Sequence, residues 1–69
     1  MRKYLQKLRA EKDITQQSVA DNLGITRQYY NLIEAGERQQ CLKLEMAKKL
    51  ADIFGVTLEY ILENENKTA

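Results

Sequence analysis

The sequence predicts an all-α fold, a compact bundle of five short helices, from three observations. Apolar residues recur at the spacing of three and four positions that marks a helix, and no segment alternates with the period of two that marks a strand. The chain has no proline, and each of its three glycines follows an apolar helical pattern, where a left-handed residue ends a helix. At 69 residues, the chain can form one compact core and one domain.

The first helix covers about residues 2 to 12. Leu5 and Leu8 are one helical turn apart and are expected to face inward. The pattern stops near Asp13, a residue type that tolerates the left-handed conformation better than most. The first helix is therefore expected to end there without a glycine.

The second and third helices are separated by a very short turn. The second opens at Thr15, whose hydroxyl makes a good N-cap. Its apolar residues are Val19, Ala20 and Leu23. Only Gly24 and Ile25 then precede Thr26, a second N-cap residue. This spacing predicts a helix–turn–helix at the centre of the bundle.

Two further helices complete the bundle. The fourth carries an apolar stripe of Leu44, Ala47, Leu50, Ala51 and Phe54. The fifth begins at Thr57 and continues through Leu58, Ile61 and Leu62. The sequence then becomes polar, so residues 1–63 are expected to form the domain and residues 64–69 a frayed tail.

The composition excludes several classes of protein. No apolar run approaches the roughly 20 residues that cross a bilayer, and the start of the chain lacks a signal-peptide layout, so a cytoplasmic location is expected. The chain has no histidine, no glycine-rich phosphate loop and no nucleophile elbow, so neither an enzyme nor a cofactor site is expected. Cys41 is the only cysteine, which excludes an internal disulfide and makes a metal or redox role improbable.

The third helix divides into two faces on a helical wheel. One face carries Tyr29, Tyr30, Ile33 and Glu34, of which the tyrosines and Ile33 are expected to pack inward. The other carries Arg27, Gln28, Asn31, Leu32 and Ala35. A helix with bidentate-capable side chains in its first turn, held out by a preceding helix, suits the major groove of DNA. The net charge is only +1, so an anionic partner must meet a local patch.

These residues also carry a family resemblance. The stretch "ITQQSVADNLGITRQYYNLIEAG" resembles the helix-turn-helix core of the lambda-repressor-like, or Xre-type, DNA-binding proteins, and "ADIFGVTLEYIL" resembles their fourth and fifth helices. The resemblance implies a third helix in the major groove, a second helix across the phosphate backbone, and dimers on paired, pseudo-palindromic half-sites. By position, it implies base contacts from Arg27, Gln28 and Leu32 and a phosphate contact from Gln16. It also places Arg9 and Glu34 opposite one another as a structural ion pair.

The chain departs from the family pattern after the third helix. The connection between Gly36 and Gly55 is about two residues longer than in the commonest members. The position near 40, where many members have proline, is Gln40. Phosphate contacts from Arg38 and Gln39 in this connection are expected from the resemblance.

Several of these residues have a simpler interpretation. Gln16 could cap or border the core instead of contacting phosphate, and Arg27 and Gln28 could be solvated surface. Asn31 could contact a base or be solvated surface. For Leu32, contact with a thymine methyl group competes with partial packing on the second helix or a small exposed patch. Tyr29 is expected in or near the core, with a hydroxyl that is able to donate to a phosphate.

The sequence thus predicts a transcriptional regulator, a repressor, that binds specific double-stranded DNA. A homodimer through Tyr60 and Leu62 is expected, because Leu58 and Ile61 turn inward and leave these two residues outside the core. No membrane partner and no small-molecule ligand are expected, and an origin in a bacterium, phage or mobile element is expected. The alternative is an antitoxin-like or co-regulator module that binds a protein, with DNA binding secondary.

Overall fold

The computed structural model describes residues 1–39 and 41–68, with side chains described as far as Lys67. Within these residues the chain forms five helices and no strand. The helices are α1 (Lys3–Lys12), α2 (Gln16–Leu23), α3 (Arg27–Ala35), α4 (Leu44–Phe54) and α5 (Leu58–Thr68). The predicted all-α fold is therefore confirmed.

Local hydrogen bonds set the ends of the first three helices. The Thr15 hydroxyl accepts from the backbone N–H of Ser18 at 3.1 Å, and the Thr26 hydroxyl accepts from that of Tyr29 at 3.1 Å. Asp13 ends α1 in the left-handed conformation with φ 56°. A side-chain oxygen that satisfies a free N–H of the first turn stabilises a helix start by about 1 kcal/mol.

The core lies between the helices: α3 packs mainly against α2 and also against α1, while α4 packs against α5, α1 and α2. Its fully buried apolar side chains include Leu5, Val19, Ala20, Tyr30, Ile33, Ala47, Leu50, Phe54 and Ile61. A buried side chain of this size contributes about 1.5–3 kcal/mol relative to leaving it exposed, and no disulfide shares this role. Packing around α3 therefore holds the outer face of that helix in place.

Leu44 departs from the predicted core. The sequence placed it on the apolar stripe of α4, but its side chain is 54% exposed. Leu44 is the first residue of α4, one turn before Ala47, which is fully buried. The apolar stripe of α4 therefore contacts the core only from Ala47 onward, because the first turn of α4 extends beyond the core.

The last helix is longer than the sequence indicates. α5 continues as helix to Thr68, through residues expected to form a polar tail. Glu65 in this segment forms an ion pair with Arg2, whose Nε lies 2.8 Å from Glu65 Oε2, and it accepts a hydrogen bond from the Tyr4 hydroxyl. Ala69 of the expected tail, like Gln40, lies outside the described residues. The domain boundary at residue 63 remains a prediction.

Candidate nucleic-acid interface

The outer face of α3 carries the polar side chains that the helical wheel placed there. Arg27 and Gln28 occupy the first turn and are exposed, and Asn31 is exposed one turn later. Leu32 is half-buried, so part of its side chain packs against the protein and part remains accessible. The helix thus presents hydrogen-bonding groups at its start and a partly apolar surface further along.

The inner face of α3 is buried. Tyr30, Ile33 and Glu34 are inaccessible to solvent, whereas Tyr29 is half-buried at the edge of this face. The Tyr30 hydroxyl has no hydrogen-bond partner among the described residues. Burial is the main cause that raises the pKa of Tyr30, and the Glu34 carboxylate acts in the same direction.

Arg9 and Glu34 join α1 to α3. The Arg9 guanidinium donates from Nε to Glu34 Oε2 at 2.6 Å and from Nη2 to Glu34 Oε1 at 3.2 Å. These hydrogen bonds raise the pKa of Arg9 above its ordinary value. A two-bond contact of this kind fixes direction as well as distance, so it holds α3 in register against α1.

Gln16 joins the start of α2 to both faces of α3. Its Nε2 donates to Asn31 Oδ1 at 3.0 Å on the exposed face and to Glu34 Oε1 at 3.2 Å on the buried face. Gln16 is the first residue of α2, where backbone N–H groups lack intrahelical acceptors. The side-chain amide of Gln16 is thus engaged with the protein, while its backbone N–H faces the open end of the helix.

The connection after α3 approaches Tyr29. Gln39 Nε2 donates to the Tyr29 hydroxyl at 3.4 Å, so that hydroxyl accepts and keeps its own proton for another partner. Gln39 has a left-handed backbone with φ 49°, and Arg38 beside it is exposed. The structure therefore brings the Gln39 side chain to Tyr29 in the first turn of α3, while Arg38 lies next to Gln39 in the connection that follows the helix.

Arg2 supports this connection, a role that the sequence analysis did not predict. Its side chain is only 2% exposed, and it donates to the backbone oxygens of Ile33 at 2.5 Å, Arg38 at 3.4 Å and Gln39. Arg2 lies one helical turn before Leu5, on the inward face of the predicted first helix, but a charged residue at a helix end is ordinarily expected at the surface. Its ion-pair partner Glu65 is 63 positions away, which leaves no local pattern to detect.

Tyr60 and Leu62, the predicted dimer contacts, are both exposed on α5, at 38% and 41%. Residues two positions apart on a helix do not face each other, so the two side chains project to different sides of α5. Ile61 between them is fully buried. In a twofold contact through α5, Tyr60 and Leu62 would therefore contact different parts of the partner chain.

Other kinds of site have little support in the described part of the chain. Across residues 1–39 and 41–68, no group of three or more histidine, cysteine, aspartate or glutamate residues is placed to hold a metal ion. None of the described helices is long and apolar enough to cross a membrane. Cys41 is exposed and has no disulfide partner.

The architecture defines a helix-turn-helix protein, and comparison with known proteins assigns its family. A helix-turn-helix family model matches residues 5–61. The chain therefore belongs to the helix-turn-helix family of the lambda-repressor-like, Xre type. No solved structure matches the chain.

Curated relatives are named as regulators of transcription. The chain is 40% identical over 62 residues to the uncharacterized HTH-type transcriptional regulator YqaE of Bacillus subtilis, covering 90% of this chain and 52% of that protein. It is 42% identical over 59 residues to the SPbeta prophage-derived regulator YonR of Bacillus subtilis, covering 86% and 53%. It is 35% identical over 57 residues to the cryptic phage CTXphi transcriptional repressor RstR of Vibrio cholerae, covering 83% and 50%. The chain spans about half the length of these relatives.

Proposed function

We propose that this chain is a repressor of transcription that binds specific double-stranded DNA and reads the major groove with α3. One observation carries the proposal. Arg27, Gln28 and Asn31 are exposed together on α3, while the opposite face of that helix is buried in the core. A rigid helix with donors and acceptors at its start matches the width and the hydrogen-bonding edges of the major groove.

The base contacts follow from the chemistry of the side chains. The Arg27 guanidinium is suited to the O6 and N7 acceptors of guanine, and the Gln28 amide to the N6 and N7 of adenine. Leu32 is accessible enough for its apolar tip to contact a thymine methyl group. Asn31 adds a further polar contact one turn along the helix.

The phosphate contacts flank these residues. The backbone N–H of Gln16 at the start of α2 favours an anion, because the helix dipole concentrates positive potential there. Tyr29 keeps a hydroxyl proton to donate, and Arg38 and Gln39 lie in the adjacent connection. Such contacts orient a protein on the duplex without reading sequence.

Repression and dimerisation complete the proposal. RstR, to which the chain is similar, is named a transcriptional repressor, and a protein that occupies an operator can block transcription without further machinery. One recognition helix reads only a few base pairs, so a second copy about 34 Å along the duplex would supply the missing specificity. The exposed side chains of α5 are the proposed contact between the copies.

Selection from a random duplex library, followed by a salt titration of the selected duplex, tests the proposal. Contacts with phosphates release counterions from the duplex, so affinity should fall as the salt concentration rises. Arg27→Ala should reduce discrimination between the selected and a scrambled duplex, with Gln17→Ala, at an exposed position on α2, as the matched control. Equal affinity of the unaltered protein for both duplexes would contradict the proposal and favour a protein-binding module.

A further inference from the structure

Three side chains connect the buried interior to the DNA-facing surface of α3. Glu34 is 1% exposed, and its carboxylate is bound by the Arg9 guanidinium. Gln16 Nε2 lies 3.2 Å from Glu34 Oε1 and 3.0 Å from Asn31 Oδ1. Asn31 is exposed. A hydrogen-bonded series therefore leads from Glu34 through Gln16 to Asn31.

The carboxylate fixes the direction of every bond in this series. A carboxylate paired with a guanidinium only accepts hydrogen bonds, so Gln16 must turn its NH₂ group, not its carbonyl oxygen, toward Glu34. The opposite orientation would place two acceptors 3.2 Å apart. The same NH₂ group contacts the Asn31 amide, so Asn31 must turn its oxygen toward Gln16. Asn31 is then left with its NH₂ group for an outside partner.

Resting on the proposed function, we propose that Glu34, acting through Gln16, fixes Asn31 as a hydrogen-bond donor to DNA. Asn31 then reads an acceptor on the major-groove edge of one base, namely guanine O6 or N7, thymine O4 or adenine N7. Cytosine is disfavoured, because the group that it presents in the major groove is the N4 amino donor. Gln16 acts as a positioning residue and does not itself contact the base.

This arrangement changes what an asparagine on a recognition helix can select. A free asparagine amide contacts adenine by donating to N7 and accepting from N6. In this chain Asn31 Oδ1 already accepts from Gln16, and the buried charge behind Gln16 opposes rotation of the amide. The paired contact with adenine is reduced to a single donation to N7, so adenine loses its advantage over guanine and thymine. The preference at this base pair therefore depends on a residue of another helix.

The test compares affinities for the selected duplex and for the three single base changes at each position of the half-site. The protein is used unaltered and as Asn31→Ala, Asn31→Asp, Gln16→Ala and Gln17→Ala. Gln17→Ala is the matched control, because the Gln17 side chain lies on the same helix but donates to Asp21 at 2.8 Å. Exchange of the side-chain amide protons with solvent, measured by NMR on the free protein, shows whether Gln16 forms its hydrogen bonds to Glu34 and Asn31 in the absence of DNA.

We expect Asn31→Ala to remove a preference of about tenfold for bases other than cytosine at one position of the half-site and to leave the other positions unchanged. Gln16→Ala should weaken the preference at that same position, whereas Gln17→Ala should not. Asn31→Asp should reverse it toward cytosine, because the outward group becomes an acceptor for N4. In the free protein, the Gln16 amide protons should exchange more slowly than those of Asn31.

Three results would overturn the inference alone, with the unaltered protein still selecting a sequence. They are an Asn31-dependent position that prefers cytosine, or adenine above guanine and thymine, a preference there that Gln16→Ala leaves intact, and Gln16 amide protons that exchange as fast as those of Asn31. A protein that selects no sequence would instead remove the proposed function, and the inference with it.

Discussion

Arg2 and Glu65 form an ion pair that joins the two ends of the described chain. Arg2 Nε lies 2.8 Å from Glu65 Oε2, and Nη2 lies 3.0 Å from Oε1, although the residues are 63 positions apart. The Arg2 side chain is 2% exposed and that of Glu65 15%. The same guanidinium donates to the backbone oxygen of Gln39, so the ion pair also holds the connection that follows α3.

Glu65→Gln should lower the free energy of unfolding by about 2–3 kcal/mol, because it leaves a buried guanidinium without its carboxylate. Urea unfolding followed by circular dichroism measures the loss. Glu63→Gln, at an exposed carboxylate on the same helix, is the control and should change stability by less than about 0.5 kcal/mol. A chain ending at residue 63 should lose at least as much as Glu65→Gln; full stability of that shorter chain would instead support a domain of residues 1–63.

Two tyrosine-to-phenylalanine changes should have different effects on the free energy of unfolding. Tyr30→Phe should leave stability unchanged or raise it by up to about 1 kcal/mol, because its buried hydroxyl lacks a partner among the described residues. Tyr4→Phe should cost about 1.5 kcal/mol, because the Tyr4 hydroxyl donates to the Glu65 carboxylate. Unfolding in urea measures both. A larger loss from Tyr30→Phe than from Tyr4→Phe would contradict this assignment.

Stability should fall in alkali. Burial raises the pKa of both Tyr4 and Tyr30 above the ordinary value. The unfolded chain loses these protons near pH 10 while the folded chain retains them, so the unfolded state is favoured as the pH rises further. The slope should approach about 1.4 kcal/mol per pH unit for each tyrosine. Urea unfolding measured below and above about pH 10 checks this pH dependence. If stability falls as steeply with pH in the variant that carries both Tyr4→Phe and Tyr30→Phe, the two tyrosines are not its cause.

Arg27→Ala and Arg38→Ala should weaken DNA binding in different ways. Loss of the Arg27 contact should cost about 1–3 kcal/mol on the preferred duplex and relax the preference at one or two base pairs. Loss of Arg38 should weaken binding to every duplex alike and reduce the salt slope by about one. Affinities measured over several salt concentrations separate the two. A change of base preference in Arg38→Ala would argue against a phosphate contact.

The homodimer should depend on α5. Because Tyr60 and Leu62 project to different sides of the helix, Tyr60→Ser and Leu62→Ser should be made separately as well as together. Either change should reduce the cooperativity of binding to a paired site without altering affinity for a half-site. Sedimentation with and without the selected duplex gives the stoichiometry. One protein per duplex at saturation, or unchanged cooperativity in the double variant, would rule out this contact.

The sequence by itself determined the helices, their starts and the short turn between α2 and α3. Thr15 and Thr26 cap their helices as predicted, and Asp13 adopts the left-handed conformation expected of it. These features depend on residues within four positions of one another, where a single side chain and the adjacent backbone settle the conformation. The exposed face of α3 follows from the same local periodicity.

Only the tertiary structure decided which polar groups meet across the bundle. The pairing of Arg2 with Glu65, the contact of Gln16 with Asn31 and the exposure of Leu44 cannot be predicted from helical periodicity. Each depends on how far one helix extends past another and on which side chains then come within hydrogen-bonding distance. Helical spacing gives the face on which a residue lies, but the partner of a buried charge is set by packing between segments remote in the chain.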